Sequence, residues 1–281
     1  MTRPAAPRPA PIGARAGFRA VWIASLAGLL AAGCGAQTIP AAGRISAPPI
    51  LASREPAATP ATPLSMVALG DSIVAYPACG CESYPQIYGR LAARALGRPV
   101  TVRNLGIGGT TSADLLQSVR SDSAVRAALR GADIVTITIG INDIGSCEAG
   151  ADLECYGAAS GALGPNVEAI LAEIGGLEAS HRYILRETDY YNHVIGKADR
   201  AELGPSYQLL FAQQLTTVNS AICAAVTAHH GHCVDLLTAF NGPAANQDAA
   251  PFLLPDHVHP SAEGNRIIAA QIAAAGYLPL Q

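Results

Sequence analysis

The sequence predicts an α/β protein, a three-layer α/β/α sandwich around a five-stranded parallel, flavodoxin-like sheet. Two observations lead there. From Leu64 onward, short apolar runs alternate with longer segments carrying apolar residues at three- and four-residue steps, the pattern of strands joined by covering helices. Turn and loop residues also follow the apolar runs, as expected where an open parallel sheet carries its functional loops at the carboxyl ends of its strands.

The strand segments in order are Ser65 to Leu69, Val100 to Asn104, Ile134 to Ile139, Tyr183 to Arg186 and Cys233 to Leu236. Between and after them, Tyr84 to Leu96, Ala113 to Leu129, Asn166 to Glu178, Ser206 to His229 and Ser261 to Ala274 have helical periodicity. Gly97, Gly131, Gly231 and Gly276 fall just after helical stretches, where a left-handed C-cap residue is expected. No internal repeat or second domain boundary interrupts residues 64–281, which read as one catalytic domain.

The chain has 281 residues, 50% of them hydrophobic and 14% charged, enough for one substantial core. A net charge of −3 with no Lys/Arg stripe offers no field for nucleic acid, so none is expected as a partner. Residues 1–33 read as a signal peptide. Arg3, Arg8, Arg15 and Arg19 precede an apolar run from Val21 to Gly33. Thirteen helical residues rise about 20 Å, short of the roughly 30 Å of a bilayer core, so a permanent span is disfavoured. Leu30-Ala-Ala-Gly-Cys34 resembles a bacterial lipobox, which implies lipidation of Cys34 and a membrane anchor. Ala31 stands where such motifs usually have Leu, and cleavage after a small-residue site releasing a soluble protein is the alternative. The Pro/Ala/Thr/Ser-rich stretch to Pro63 completes a segment 34–63 read as a flexible tether.

With Cys34 set aside, six of the seven cysteines pair evenly, as an oxidising compartment requires. The spacing invites Cys147 with Cys155 and Cys223 with Cys233. Cys79 and Cys81 are then either bonded to each other or linked elsewhere.

Gly70-Asp71-Ser72 follows the first strand, where a Gly lets the chain turn sharply and expose a hydroxyl. A serine needs a base. Asp256-His-Val-His259 supplies one, because a carboxylate bonded to one imidazole nitrogen fixes the tautomer and leaves the other nitrogen to take the serine proton. Pro260 suits the first position of the last helix, which places His259 in its N-cap region. Acyl transfer also needs donors for an oxyanion. The glycine-rich Gly106-Ile-Gly108-Gly109 and the side chain of Asn142 provide candidates, with the Ser72 N–H as a third. The glycine run lacks the spacing of a dinucleotide-binding loop, and no acidic ribose partner follows it. His229, His230, His232 and Cys233 look like a metal cluster but lie at a helix end, where His side chains cap carbonyls, and no metal or organic cofactor is expected. His257 competes with His259 as the base. Tyr190-Tyr191-Asn192-His193 either lines the cleft or packs as a loop.

Gly70-Asp-Ser72, Asn104 to Thr110, Gly140-Ile-Asn142-Asp143 and Asp256-His-Val-His259, in this order over about Leu64 to Leu278, resemble the blocks of the SGNH (GDSL) hydrolase family. The resemblance implies a serine esterase acting on a small acyl-ester substrate through an acyl-enzyme. In it Ser72 is the nucleophile, His259 the base and Asp256 its orienting partner, while Ser72, Gly109 and Asn142 form the oxyanion hole. Gly109 is chosen among the three glycines because it lies five residues after Asn104. The alternatives are an acyltransferase with the same triad, separated by a transfer product to added alcohol, and a non-catalytic envelope binding protein. A monomer is expected.

For the anchor, Cys34→Ala is expected to move the protein from the membrane fraction to the medium, as followed by fractionation. Unchanged partitioning would overturn the anchor.

Overall fold

A computed structural model describes residues 61–75, 79–145, 147, 153–195 and 204–281. The expected signal peptide, Cys34 and all but the last three tether residues lie outside them. Five strands form one all-parallel sheet: β1 (Leu64–Gly70), β2 (Val100–Asn104), β3 (Ile134–Thr138), β4 (Ile184–Thr188) and β5 (His232–Val234), in spatial order β2-β1-β3-β4-β5. This is the flavodoxin-like order, and its direction of growth reverses at the β1/β3 junction.

One helical layer contains α1 (Tyr84–Leu96) packed on α8 (Ala262–Ala274). The other contains α2 (Ser112–Ser121), α3 (Ser123–Leu129), α5 (Leu153–Leu177) and α6 (Gly204–Ala228). Two short helices, α4 (Ile141–Gly145) and α7 (Leu236–Asn241), follow β3 and β5. Covered on both sides, β3 is buried at every position, and each core side chain such as Ile134 or Ile137 stabilises the fold by about 1.5–3 kcal/mol through removal from water. Ser206–Ala228 is apolar and long enough to cross a membrane by composition. Here it carries Phe211, Leu215, Val218, Ile222 and Val226 into the core beside α5, β4 and β5.

Several elements depart from expectation for local reasons. The helix expected over Ala113 to Leu129 is two helices, because Asp122 is extended (ψ 114°) and its carboxylate accepts from the N–H groups of Ala124 and Val125 as the N-cap of α3. β5 ends at Val234 rather than Leu236, since Asp235 caps α7 by accepting from the Thr238 N–H. Helix α5 begins thirteen residues before Asn166 and accommodates Pro165 in its interior. Gly97, Gly131 and Gly276 take positive φ as expected, whereas at the end of α6 His230 does so (φ 60°). Gly231 is required there for space, because a Cβ would crowd Leu185 and Val226. Disulfides join Cys79 to Cys81, Cys147 to Cys155 and Cys223 to Cys233, with Cα–Cα distances of 5.1, 5.7 and 5.0 Å.

Glu187 on β4 is fully buried, and among the described residues neither carboxyl oxygen has a hydrogen-bond partner. Desolvation raises its pKa from 4.5 to about 8. The folded chain therefore holds this proton where the unfolded chain releases it. The associated penalty is absent below pH 4.5, grows as pH rises and is complete above about 8. Glu187→Gln is expected to raise the melting temperature relative to the parent by several degrees at pH 8 and to leave it nearly unchanged at pH 4.5. A difference independent of pH would refute the assignment.

Candidate active site

Asp71, Ser72 and Ile73 form the turn that leaves β1. Gly70 adopts φ 135°, and a Cβ there would collide with the Thr138 carbonyl of β3. The Asp71 N–H donates to that same carbonyl at 3.1 Å, and the Asp71 carbonyl accepts from the N–H groups of Val74 and Ala75. The Asp71 carboxylate is buried. It accepts from the Ile73 N–H at 2.8 Å and from the Tyr190 hydroxyl at 2.5 Å. Burial pushes its pKa up to about 6, opposed by those two hydrogen bonds and by the nearby His259.

His259 lies in the loop between Leu253 and Pro260, which form an antiparallel bridge. The Leu254 N–H donates to the His259 carbonyl at 2.8 Å, and the Asp256 carboxylate bonds within the same loop. Its Oδ1 accepts from the Val258 and His259 N–H groups, and its Oδ2 lies 2.8 Å from His259 Nδ1. Partial burial works against the charged carboxylate. The hydrogen bonds from Val258, His259 and the His259 ring outweigh it and hold Asp256 below the ordinary carboxylate value. With Nδ1 engaged, Nε2 is the nitrogen left for proton transfer. His257 has φ 57° and takes no part in this pairing. Pro260 does not open the last helix as expected. Ser261 is the N-cap, accepting from the Gly264 N–H, so His259 precedes the helix by two further residues.

The loop after β2 is held in two ways. The Asn142 Nδ2 donates to the Thr110 carbonyl at 3.0 Å, which leaves its second N–H available. Asp143 accepts from the Ser112 N–H at 2.9 Å and from the Ser112 hydroxyl at 2.5 Å, and Asn166 donates to that hydroxyl. Thr111 and Asp114 add a reciprocal capping box at the start of α2. The Ser72 and Gly109 N–H groups meet no acceptor among the described residues.

These loops meet in a cavity of about 460 Å³ whose walls include Ser72, Gly108, Gly109, Asn142 and His259. The structure thus brings the sequence-singled residues together, with Asp256 behind His259. Apolar walls come from Ile73, Ile141, Tyr190, Tyr191 and Val258. Gly108 as well as Gly109 faces the cavity, whereas Gly106 packs against Val74 and Ala75. The His229 imidazole pairs with Glu168 at 2.8 Å, and among the described residues no group of three or more His, Cys, Asp or Glu is placed to hold a metal ion. Asp143 as an anchor of Ser112 was not anticipated, although it ends the Gly140-Ile-Asn-Asp143 segment. The contacts of Asp71 with Tyr190 and of Tyr191 with the His259 loop join residues too far apart in sequence for any local pattern to reveal.

The sequence profile of the GDSL-like lipase/acylhydrolase family matches residues 68–267. No curated protein matches the sequence significantly. Similar solved structures include a lipase from a goat rumen metagenome (23% identity, TM-score 0.65, covering 78% of this chain and 100% of that one). Also similar is a variant of the acetyl-xylooligosaccharide esterase of Geobacillus stearothermophilus (21%, 0.56, 75% and 93%). A third is an extracellular lipase of Streptomyces rimosus (18%, 0.57, 75% and 99%). At these identities the likeness is one of fold.

The two glycines in this region give a graded test by chemical denaturation. Gly70→Ala, strained in φ and colliding with Thr138, is expected to cost at least about 2 kcal/mol. Gly109→Ala, left-handed (φ 79°) but facing open space, is expected to cost about 1 kcal/mol. The reverse order would contradict the turn described.

Proposed function

The chain belongs to the GDSL-like lipase/acylhydrolase family and is a carboxylic ester hydrolase, and on that premise we propose that it cleaves esters through a covalent acyl-enzyme on Ser72. The single observation that carries this reading is the convergence, in one cavity, of Ser72 with a His259 whose Nδ1 is already bonded to Asp256.

His259 Nε2 takes the Ser72 proton as Oγ bonds to the ester carbonyl carbon. The carbonyl electrons move to oxygen, where the N–H groups of Ser72 and Gly109 and the Asn142 amide stabilise the oxyanion. Collapse expels the alkoxide, which takes the proton from His259 and leaves as the alcohol. Water repeats the sequence, with His259 again as base and then acid, releasing the carboxylic acid and free Ser72. Asp256 stays ionised and holds the imidazolium.

The cavity is at the small end of ligand sites, which run from roughly 300 to 1,000 Å³, and the substrate assigned here is an ester of a short acyl chain. Two features support action outside the cytoplasm: the leader with Cys34, and the three cysteine pairs, whose oxidised form suits an exporting compartment.

Hydrolysis of p-nitrophenyl esters of increasing acyl length, run beside Ser72→Ala, tests the reading. The parent is expected to prefer the acetyl and butyryl esters, and the variant to lose at least about 10³-fold in kcat. Equal rates for the two proteins would eliminate Ser72 as nucleophile.

A further inference from the structure

Tyr190 and Tyr191 follow one another in the loop after β4, outside every segment so far given a role in the chemistry. Both are buried, and their hydroxyls go to different parts of the site. The Tyr190 hydroxyl donates to the Asp71 carboxylate at 2.5 Å, one residue from Ser72. The Tyr191 hydroxyl donates to the Val258 carbonyl at 2.6 Å, one residue from His259. The loop between them is itself fixed. Asn219 of α6 accepts from the Tyr190 N–H and donates to the Tyr190 carbonyl, and Asn241 of α7 does the same for Asn192. The Tyr191 ring stacks on Phe240, with centroids 4.3 Å apart.

We propose that Tyr190 and Tyr191 are positioning residues, a two-armed brace by which the β4 loop sets the nucleophile turn and the histidine loop at their working separation. The inference rests on the reading of Ser72 and His259 as nucleophile and base.

The geometry gives a reason for the brace. Asp256 and His259 are joined by local bonds within their own loop, and the Ser72 turn by local bonds to β3. Neither set fixes the distance between the two halves, and an error near 1 Å in such a distance costs about 10²-fold in rate. The tyrosine pair bonds to both halves from one rigid backbone. Its rings also line the cavity, so replacement by Phe keeps the wall and removes only the hydroxyl.

The Tyr190 arm also has an electrical consequence. Asp71 is faced by Tyr190, Tyr84 and Tyr191, by the charge of Asp143, and by His259. The Tyr190 hydrogen bond favours its ionised form. Without that bond Asp71 takes up a proton at higher pH and ceases to support the imidazolium of His259.

The test uses Tyr190→Phe, Tyr191→Phe and the double variant in the full chain, with p-nitrophenyl acetate turnover and fluorophosphonate labelling of Ser72 followed by intact-protein mass. Each single variant is expected to lose roughly 10-fold in kcat and in labelling rate, with KM within about twofold. The acid limb of kcat/KM is expected to move to lower pH in Tyr190→Phe, because the imidazolium loses the support of Asp71, and to stay in place in Tyr191→Phe. The double variant is expected to lose less than the product of the singles, because releasing one arm already frees the separation. Parent-like kcat in the double variant, a change confined to KM, or a loss that matches the unfolded fraction in thermal melts would each overturn the brace. If Tyr190→Phe does not fold, Tyr191→Phe, which keeps its stack on Phe240, decides by the same kcat and labelling criteria. A parent that fails to label at Ser72 refutes the nucleophile and the brace with it. A parent that labels alongside unaffected variants refutes the brace alone.

Discussion

The hydrogen bond from the Asp71 N–H to the Thr138 carbonyl closes the seam between β1 and β3, and the site is laid out from that seam. In a parallel sheet whose order reverses at this junction, the loops leaving the two strands diverge to opposite sides and open a crevice between them. Gly70 allows β1 to leave the sheet within a single residue of the seam, which brings Ser72 to the crevice beside Asn142 of α4, the helix that follows β3. A side chain at Gly70 would collide with the Thr138 carbonyl and push the two strand ends apart.

Charge is handled differently at the surface and in the interior of this sheet edge. Asp256, partly exposed, is held ionised by three N–H donors and is suited to accompany a cationic imidazole. Asp71 and Asp189 are buried carboxylates whose pKa values rise through desolvation to about 6 and about 7, the first only partly compensated by Ile73 of its own turn and Tyr190 after β4, the second by Leu236 and Leu237 after β5. Asp189 receives the N–H groups of Leu236 and Leu237 at the start of α7, so it holds the β5 end much as Asp71 holds the β1 end. Both stand at strand termini, where the sheet no longer satisfies the backbone and an acidic side chain supplies the missing acceptor.

The parts legible in the sequence are those set by short-range rules. The apolar run Ile134 to Ile139 reads as a buried strand, and all five residues of β3 are buried. The Asp256 to His259 spacing reads as a local pair because a four-residue turn suffices to join its ends. The parts that escaped depend on competition or on distance. Asp122 fits a continuous helical period, and only its capping of α3 breaks the helix there. Asp235 likewise stops β5 by starting α7, against the apolar run that favoured a longer strand. Tyr190 and Asp71 are 119 residues apart, and nothing in either neighbourhood announces the other.

The loop from Leu253 to Pro260 has its own closure: a bridge at its ends, a carbonyl-to-amide bond from His259 back to Leu254, and the Asp256 carboxylate gathering two backbone amides and the ring. Asp256 and His259 are thus joined within a single cassette closed by its own bonds. Substitutions elsewhere in the protein would change where this cassette is seated without changing what it is. Remote packing residues can therefore shift this cassette relative to Ser72 while the Asp256–His259 pairing stays intact.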